Sequence, residues 1–490
     1  MRIVASLSVL FPTLVSAITL ATAGSAQCTT SWSTEGTWDA PPAGFVSLAN
    51  GNLVAFGAFT IADGVPCRHV ARHDGSSWTA IGPGIANDVV SLAELPNGDL
   101  VAAQDSSTSL LRWDGSAWSP YAAPFVSWLG VAGQPKRLAV AANGDVCAAF
   151  DVWWSLQGGL PQRYRAVARW DGTAWHAAFG SPLVDASVTA MRASSLGVHY
   201  VVGYGTLTTL MEIWPTQTQV AQFVGTVAAL EEHVDGDLVA IGNFSSIQPS
   251  QGAATLAIGV ARWDGTTWTQ VGSGIPSASA VASLPDGDLC VASRVAVAQD
   301  DIWRFDGTGW IQLGSADGRV DAMAFQATGA LAVSGHITSI AGVPVGGVAR
   351  YATNCPADVA TFANGCANSA GFPAWTVHTA PWIGGTYRVT CDTLPADCFV
   401  AEAFGFGVDP HPMAMLFPQG LPGCVVQPTL DGIGLRIPQN GSLRSEVPVP
   451  DLPIAGLRMY HQLAPFEVDA MGNLLAVTVT DTLRLTLGSF

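Results

Sequence analysis

Residues 150–170, FDVWWSLQGGLPQRYRAVARW, gather five side chains suited to recognition: Asp151, Trp153, Trp154, Arg163 and Tyr164. Adjacent indoles offer flat apolar faces to a sugar ring or a protein surface, while a nearby carboxylate and guanidinium fix orientation. The segment GAFTIADGVPCRHVARHDG, 57–75, adds Arg68 and His69 beside Asp63 and Cys67, and SGHITS, 334–339, adds His336. Bond-breaking chemistry is poorly served. Asp300 and Asp301 are adjacent acids, but neighbours on a strand point to opposite faces and make a weak acid/base pair. The chain has no His-Glu-x-x-His, Gly-x-Ser-x-Gly, phosphate loop or Cys-x-x-Cys. Its acidic turns, VDGDL and PDGDL, lack the ligand spacing of a calcium loop. The residues therefore predict ligand binding without a catalytic set, a metal or a cofactor.

Such residues need a rigid frame, and two alternating motifs supply one. The first is LANGNLVAFG (48–57), LPNGDLVAAQ (95–104), AANGDVCAAF (141–150), HVDGDLVAIG (233–242) and LPDGDLCVAS (284–293), with worn copies at 194–203 and 326–335. Asn-Gly or Asp-Gly between apolar runs predicts hairpins, in type I′ turns with positive φ at both central residues. The second motif is VARHDGSSW (70–78), LLRWDGSAW (110–118), VARWDGTAW (167–175), VARWDGTTW (260–268) and IWRFDGTGW (302–310), with a degenerate copy at 210–218. The turn glycines stand at 51, 98, 144, 197, 236, 287 and 329, 39 to 53 residues apart. Seven units of two hairpins each predict an all-β, seven-bladed β-propeller over residues 27–355.

A tryptophan needed once per unit is packing, and the recurring arginine is expected to lie along the sheet with its head on an acid. The last unit ends VARYATNC (348–355) without its outer strand, and SWSTEGTW (31–38) supplies that strand from the N-terminus. This closure predicts a Cys28–Cys355 disulfide and leaves no free sheet edge. Cys147 and Cys290 replace aliphatic residues and are read as buried free thiols, with Cys67 as the odd one. Within a unit the short glycine turns share one face. The second turn, on the opposite face, is longer in units one, three, five and seven, so Arg68, His69, Asp151, Trp153, Trp154, Arg163, Tyr164 and His336 are expected on that long-loop rim.

These strand–turn units resemble kelch and galactose-oxidase-type propellers. They are closer still to the short repeats of exported bacterial proteins, with GxF…G…VARWDG as in residues 57–75. The resemblance covers residues 28–351 and implies a fold, not an activity. Residues 356–490 differ in kind, with short alternating runs split by Pro and Gly, and read as a C-terminal β-sandwich. They are similar to modules that follow such propellers. Cys366, Cys391, Cys398 and Cys424 are expected to staple this part.

Residues 1–26, with Arg2, a long apolar run and AGSA, read as a signal peptide. Removing it leaves 19 basic and 37 acidic residues, a formal net charge of −18, which argues against a nucleic-acid partner. No later stretch is apolar enough to span a bilayer. The expectation is an exported, non-enzymatic binding or scaffold protein, periplasmic, extracellular or on the cell surface, whose rim recognises a polysaccharide or a surface protein. The alternatives are a secreted polysaccharide hydrolase or lyase and a purely structural envelope component. The enzyme reading expects two or more acids, or an acid with His or Tyr, around the central funnel, and convergence of Asp151, Asp301 and His336 there would favour it.

Overall fold

The computed structural model describes residues 28–127, 130–154, 162–178, 183–184, 186–215, 217–326 and 329–490, and for Trp154, Gln162 and Val184 the backbone alone. The signal peptide expected over 1–26 lies outside the described residues. Among those residues the chain is almost all strand, with one helical turn at Met413–Leu416. No helix of theirs is long and apolar enough to cross a membrane.

Pro42–Ser47, Leu53–Gly57, Val70–His73 and Trp78–Ala80 pair in chain order as an antiparallel sheet. The same order recurs from the first strands Val89–Glu94, Gln134–Val140, Ser187–Ser194, Thr218–Glu232 and Ala278–Ser283. Thr218–Glu232 serves twice, its start pairing with Leu207–Trp214 and its end with Leu238–Pro249. Arg319–Gln326, Ala330–His336 and Val348–Thr353 form a last set, whose outer strand is Thr30–Thr34. The first strands pack side by side in chain order, and Arg319–Gln326 packs against Pro42–Ser47. Sheets whose first strands neighbour one another around an axis make a β-propeller.

The repeated residues explain the repeat. In DGSSW, DGSAW, DGTAW, DGTTW and DGTGW the Asp side chain accepts the N–H groups of the second and third residues after it and the Ser or Thr hydroxyl. The Asp is therefore a turn former. The tryptophan four residues on faces an aromatic across the hairpin: Trp118 and Trp113 at 5.6 Å, Trp175 and Trp170 at 5.5 Å, Trp310 and Phe305 at 5.2 Å. Trp32 and Tyr351, at 4.8 Å, repeat this pair between the N-terminal strand and the last set. The indole N–H groups of Trp118, Trp175 and Trp310 donate to Ile81, Ala123 and Val271, carbonyls just beyond the preceding sheet's outer strand, and that of Trp32 donates to Leu313 within the outer strand Trp310–Ala316. Four of the recurring arginines take acids as expected: Arg112 with Asp99, Arg169 with Asp145, Arg262 with Asp237, Arg304 with Asp288.

The Asn-Gly and Asp-Gly turns are not type I′. Only the glycine has positive φ, 85° at Gly51 and 86° at Gly98. Leu48 accepts from Gly51 and donates to Asn52, the pattern of a type I turn followed by a left-handed glycine bulge. Each first strand also carries a bulge eight residues before its turn glycine, at Ala43, Val90, Lys136, Thr189, Ala228, Ser279 and Asp321.

Beyond residue 356, Asp358–Phe362, Thr482–Thr486, Arg458–Val468, Cys398–Gly405 and Gly432–Arg436 form one sheet in that spatial order. Ala374–Thr379, Thr386–Asp392 and Leu443–Pro448 form another. Tyr387 and Val389 of the second share a buried core with Leu483 and Leu485 of the first. Cys28–Cys355 is a disulfide, as expected, and so is Cys366–Cys424. Cys391 and Cys398 are not stapled. Both are buried free thiols in one apolar cluster with Val400 and Leu463, and burial pushes them up to about 12 and about 11. Cys67, Cys147 and Cys290 are also free and buried.

Candidate functional site

The long second turn of the third sheet is a two-stranded extension, with Val146–Trp154 paired to Gln162–Trp170. Its register puts Trp153 opposite Arg163 and Asp151 opposite Arg165. Because side chains alternate, these four share one face, and Val152 and Tyr164 share the other. Asp151, only 2% exposed, makes ion pairs with Arg163 and with Arg165, the latter at 2.7 Å. The Arg163 guanidinium in turn lies 5.4 Å from the centre of the Trp153 ring. Trp153 is 48% exposed. The result is an indole presented to solvent and backed by a buried carboxylate through an arginine, which lowers the entropy cost of holding it in place.

Tyr164 turns instead toward the apolar cluster of Phe150 and Val152. Trp154 continues the strand, paired with Gln162, and its side chain lies outside the described residues. Arg68 and His69 hold a tight corner with φ of 39° and 71°. Backbone bonds from His69 to Phe59 and from Ile85 to Arg68 fix it, and His69 Nδ1 lies 3.5 Å from Asp88. His336 is well exposed, 3.9 Å from Asp321, which also binds Arg319 at 2.5 Å. The candidate residues thus occupy three places along the rim, and Trp153, Arg163 and Asp151 form the one assembled unit.

Asp300 and Asp301 have partners of their own. Asp300 is fully buried, 2.6 Å from Arg294 Nε and accepting the Val320 N–H at 2.9 Å, while Asp301 faces away toward Gln299. Asp151, Asp301 and His336 have Arg163 and Arg165, Gln299, and Asp321 as their respective partners. Among the described residues no three His, Cys, Asp or Glu side chains gather closely enough to hold a metal.

Sequence reasoning missed the opposite face. There a cavity of about 830 Å³ opens between the ends of the first strands, at Ser47, Glu232, Ser283 and Phe325, and the C-terminal region at His378 and Trp382. An adjoining cleft of about 580 Å³ carries Arg192, Arg388, Arg444 and Glu446. Its charges are largely matched: Arg192 with Glu231 at 2.9 Å, and Arg444 and Arg388 sharing Glu446 at 2.8 and 4.0 Å. Buried Trp382 packs on Phe325 at 5.8 Å, Phe490 packs on Tyr351 at 5.7 Å, and Arg304 donates to the Phe490 carbonyl at 2.6 Å. The motifs give no sign of this junction, because its residues come from both ends of the fold.

No family model matches the sequence, and no curated protein matches it. Solved structures similar to the chain include virginiamycin B lyase from Staphylococcus aureus, at 9% identity and TM-score 0.42, covering 66% of this chain and 99% of that one. The Dos1 propeller matches at 11% identity and TM-score 0.38, covering 63% and 77%. YCF48 bound to D1 peptide matches at 15% identity and TM-score 0.39, covering 66% and 96%.

Proposed function

We propose that the chain is an exported, non-enzymatic binding protein. Its repeats form a seven-bladed, kelch-like propeller closed by Thr30–Thr34, and residues 356–490 form a β-sandwich that carries it. The long-loop rim takes a polysaccharide or a surface protein, with Trp153 as the stacking platform and Arg163 as its polar flank. One observation carries this reading: an exposed tryptophan fixed by an arginine that is anchored on a buried aspartate. Solvent-facing indoles without function have no need of such backing. The two disulfides suit an oxidising compartment. The purified protein and its Trp153→Ala variant, probed on arrays of polysaccharides and surface-protein peptides, test the proposal. Capture by the wild type and its loss in the variant, with melting temperature unchanged, is the expected result. Equal capture by both proteins overturns the platform, and cleavage of a captured glycan overturns the non-enzymatic reading.

A further inference from the structure

The third sheet reverses the charge of the chain. Residues 134–170 hold five basic and two acidic residues, against 20 and 37 in the whole sequence. Two of the five are neutralised singly, Arg169 by Asp145 and Lys136 by Asp105. Arg137, Arg163 and Arg165 are left with one carboxylate, Asp151, which pairs with the latter two. Arg137 is exposed. It donates to the carbonyls of Lys136 at 3.0 Å and Thr189 at 3.5 Å, and among the described residues no carboxylate pairs with it.

These side chains share one direction. Ala139, Cys147 and Ala149 pack in one cluster with Val198, Tyr200 and Val202 of the fourth sheet. Alternation along Gln134–Val140 and Val146–Trp154 therefore turns Arg137, Asp151 and Trp153 toward that sheet, and Arg163 and Arg165 with them. The facing wall carries Tyr204, two residues beyond Val202 on the same side and 46% exposed, with Leu207 paired to it. The cleft between the two sheets is thus bordered by three guanidiniums against one carboxylate, an excess of two positive charges, and by an exposed ring on each wall.

Resting on the rim reading above, we propose that this cleft takes an acidic polysaccharide, with its carboxylate or sulfate groups on Arg137 and Arg163 and a sugar ring on the free face of Trp153. A chain of formal net charge −18 repels an anionic polymer over most of its surface, so a local cationic excess marks where one can settle. Guanidiniums suit such groups because their forked N–H donors bind oxyanions in pairs. Asp151 holds Arg163 beside the indole, so charge and stacking surface are presented together. An acidic peptide offers the charge without a flat ring face beside each anionic group for the indole to take.

Calorimetric titration of polygalacturonate, dextran sulfate, dextran and poly-L-glutamate into the wild type, Arg137→Ala, Arg137→Lys and Trp153→Ala, at low and high salt, tests the proposal. An acidic polysaccharide should bind and dextran should not, more weakly as salt rises. Arg137→Ala should lose roughly tenfold in affinity and Arg137→Lys recover part of it, with melting temperatures unchanged because the side chain is exposed. The tighter of polygalacturonate and dextran sulfate identifies carboxylate or sulfate as the anion. Failure of both to bind, binding that Arg137→Ala leaves intact, or tighter binding of poly-L-glutamate overturns the proposal. Dextran bound equally well, and lost in Trp153→Ala alone, overturns the anionic ligand while the rim reading stands. Acidic-polysaccharide binding that Trp153→Ala leaves intact defeats the rim platform itself.

Discussion

Single residues here do two separate jobs that look alike in sequence. The aspartates of the Asp-Gly-Ser/Thr turns are exposed, yet their hydrogen bonds hold Asp114 and Asp306 at about 2 instead of the ordinary 3.8. A carboxyl depressed on folding favours the folded state above its unfolded value, and that preference is lost as pH falls through the folded value. The melting temperature should therefore drop between about pH 4 and pH 2. In an Asp114→Asn/Asp306→Asn protein the drop should be shallower, and an identical pH profile would contradict the assignment. Asp151 is the other kind, a buried acid between two arginines. Replacing it with Ala leaves Arg163 and Arg165 uncompensated and should cost about 3–5 kcal/mol by chemical denaturation. Loss of under about 1 kcal/mol would show that solvent already screens the cluster. The sequence gathered Asp151, Trp153, Trp154, Arg163 and Tyr164 because they stand within one segment, 150–170. It could not assign Tyr164 to the apolar side, because that follows from the register of the long hairpin.

At the level of elements, the repeat was legible because turn chemistry is written in short motifs at fixed spacing. The turn type was not, since a type I turn with a glycine bulge and a type I′ turn use the same Asn-Gly and Asp-Gly letters. The two glycine environments separate cleanly by experiment. At Gly98, with φ of 86° and no atom within 4 Å of a built Cβ, Ala should cost only the left-handed backbone penalty, about 1–2 kcal/mol. At Gly329 the same Cβ would stand 2.2 Å from the Trp382 ring, so Gly329→Ala should cost more than Gly98→Ala. Equal losses in thermal denaturation would mean that Trp382 moves freely and that the junction is not packed as described. The Cys391 and Cys398 misreading has a similar origin. Spacing counts cysteines, but pairing depends on which strands bring two sulfurs together.

Across the whole molecule, the N-terminal strand pairs with the last sheet, and the Cys28–Cys355 bridge ties residues 327 apart in sequence. Cross-linking so long a segment restricts the unfolded chain, so Cys28→Ser/Cys355→Ser should lose about 2–5 kcal/mol of stability. A variant as stable as the wild type would mean that strand pairing alone holds Thr30–Thr34 on the last set. The C-terminal region packs on the propeller through Trp382 and Phe490, and Arg304 donates to the Phe490 carbonyl. The most direct test is calorimetric titration of an array-captured ligand into the wild type, Trp153→Ala, Arg163→Ala and the junction variant Arg388→Ala. The account predicts at least a tenfold loss of affinity, about 1.4 kcal/mol, for each rim variant and none for Arg388→Ala. Undiminished affinity in the rim variants, with loss in Arg388→Ala, would contradict it and move the site to the junction.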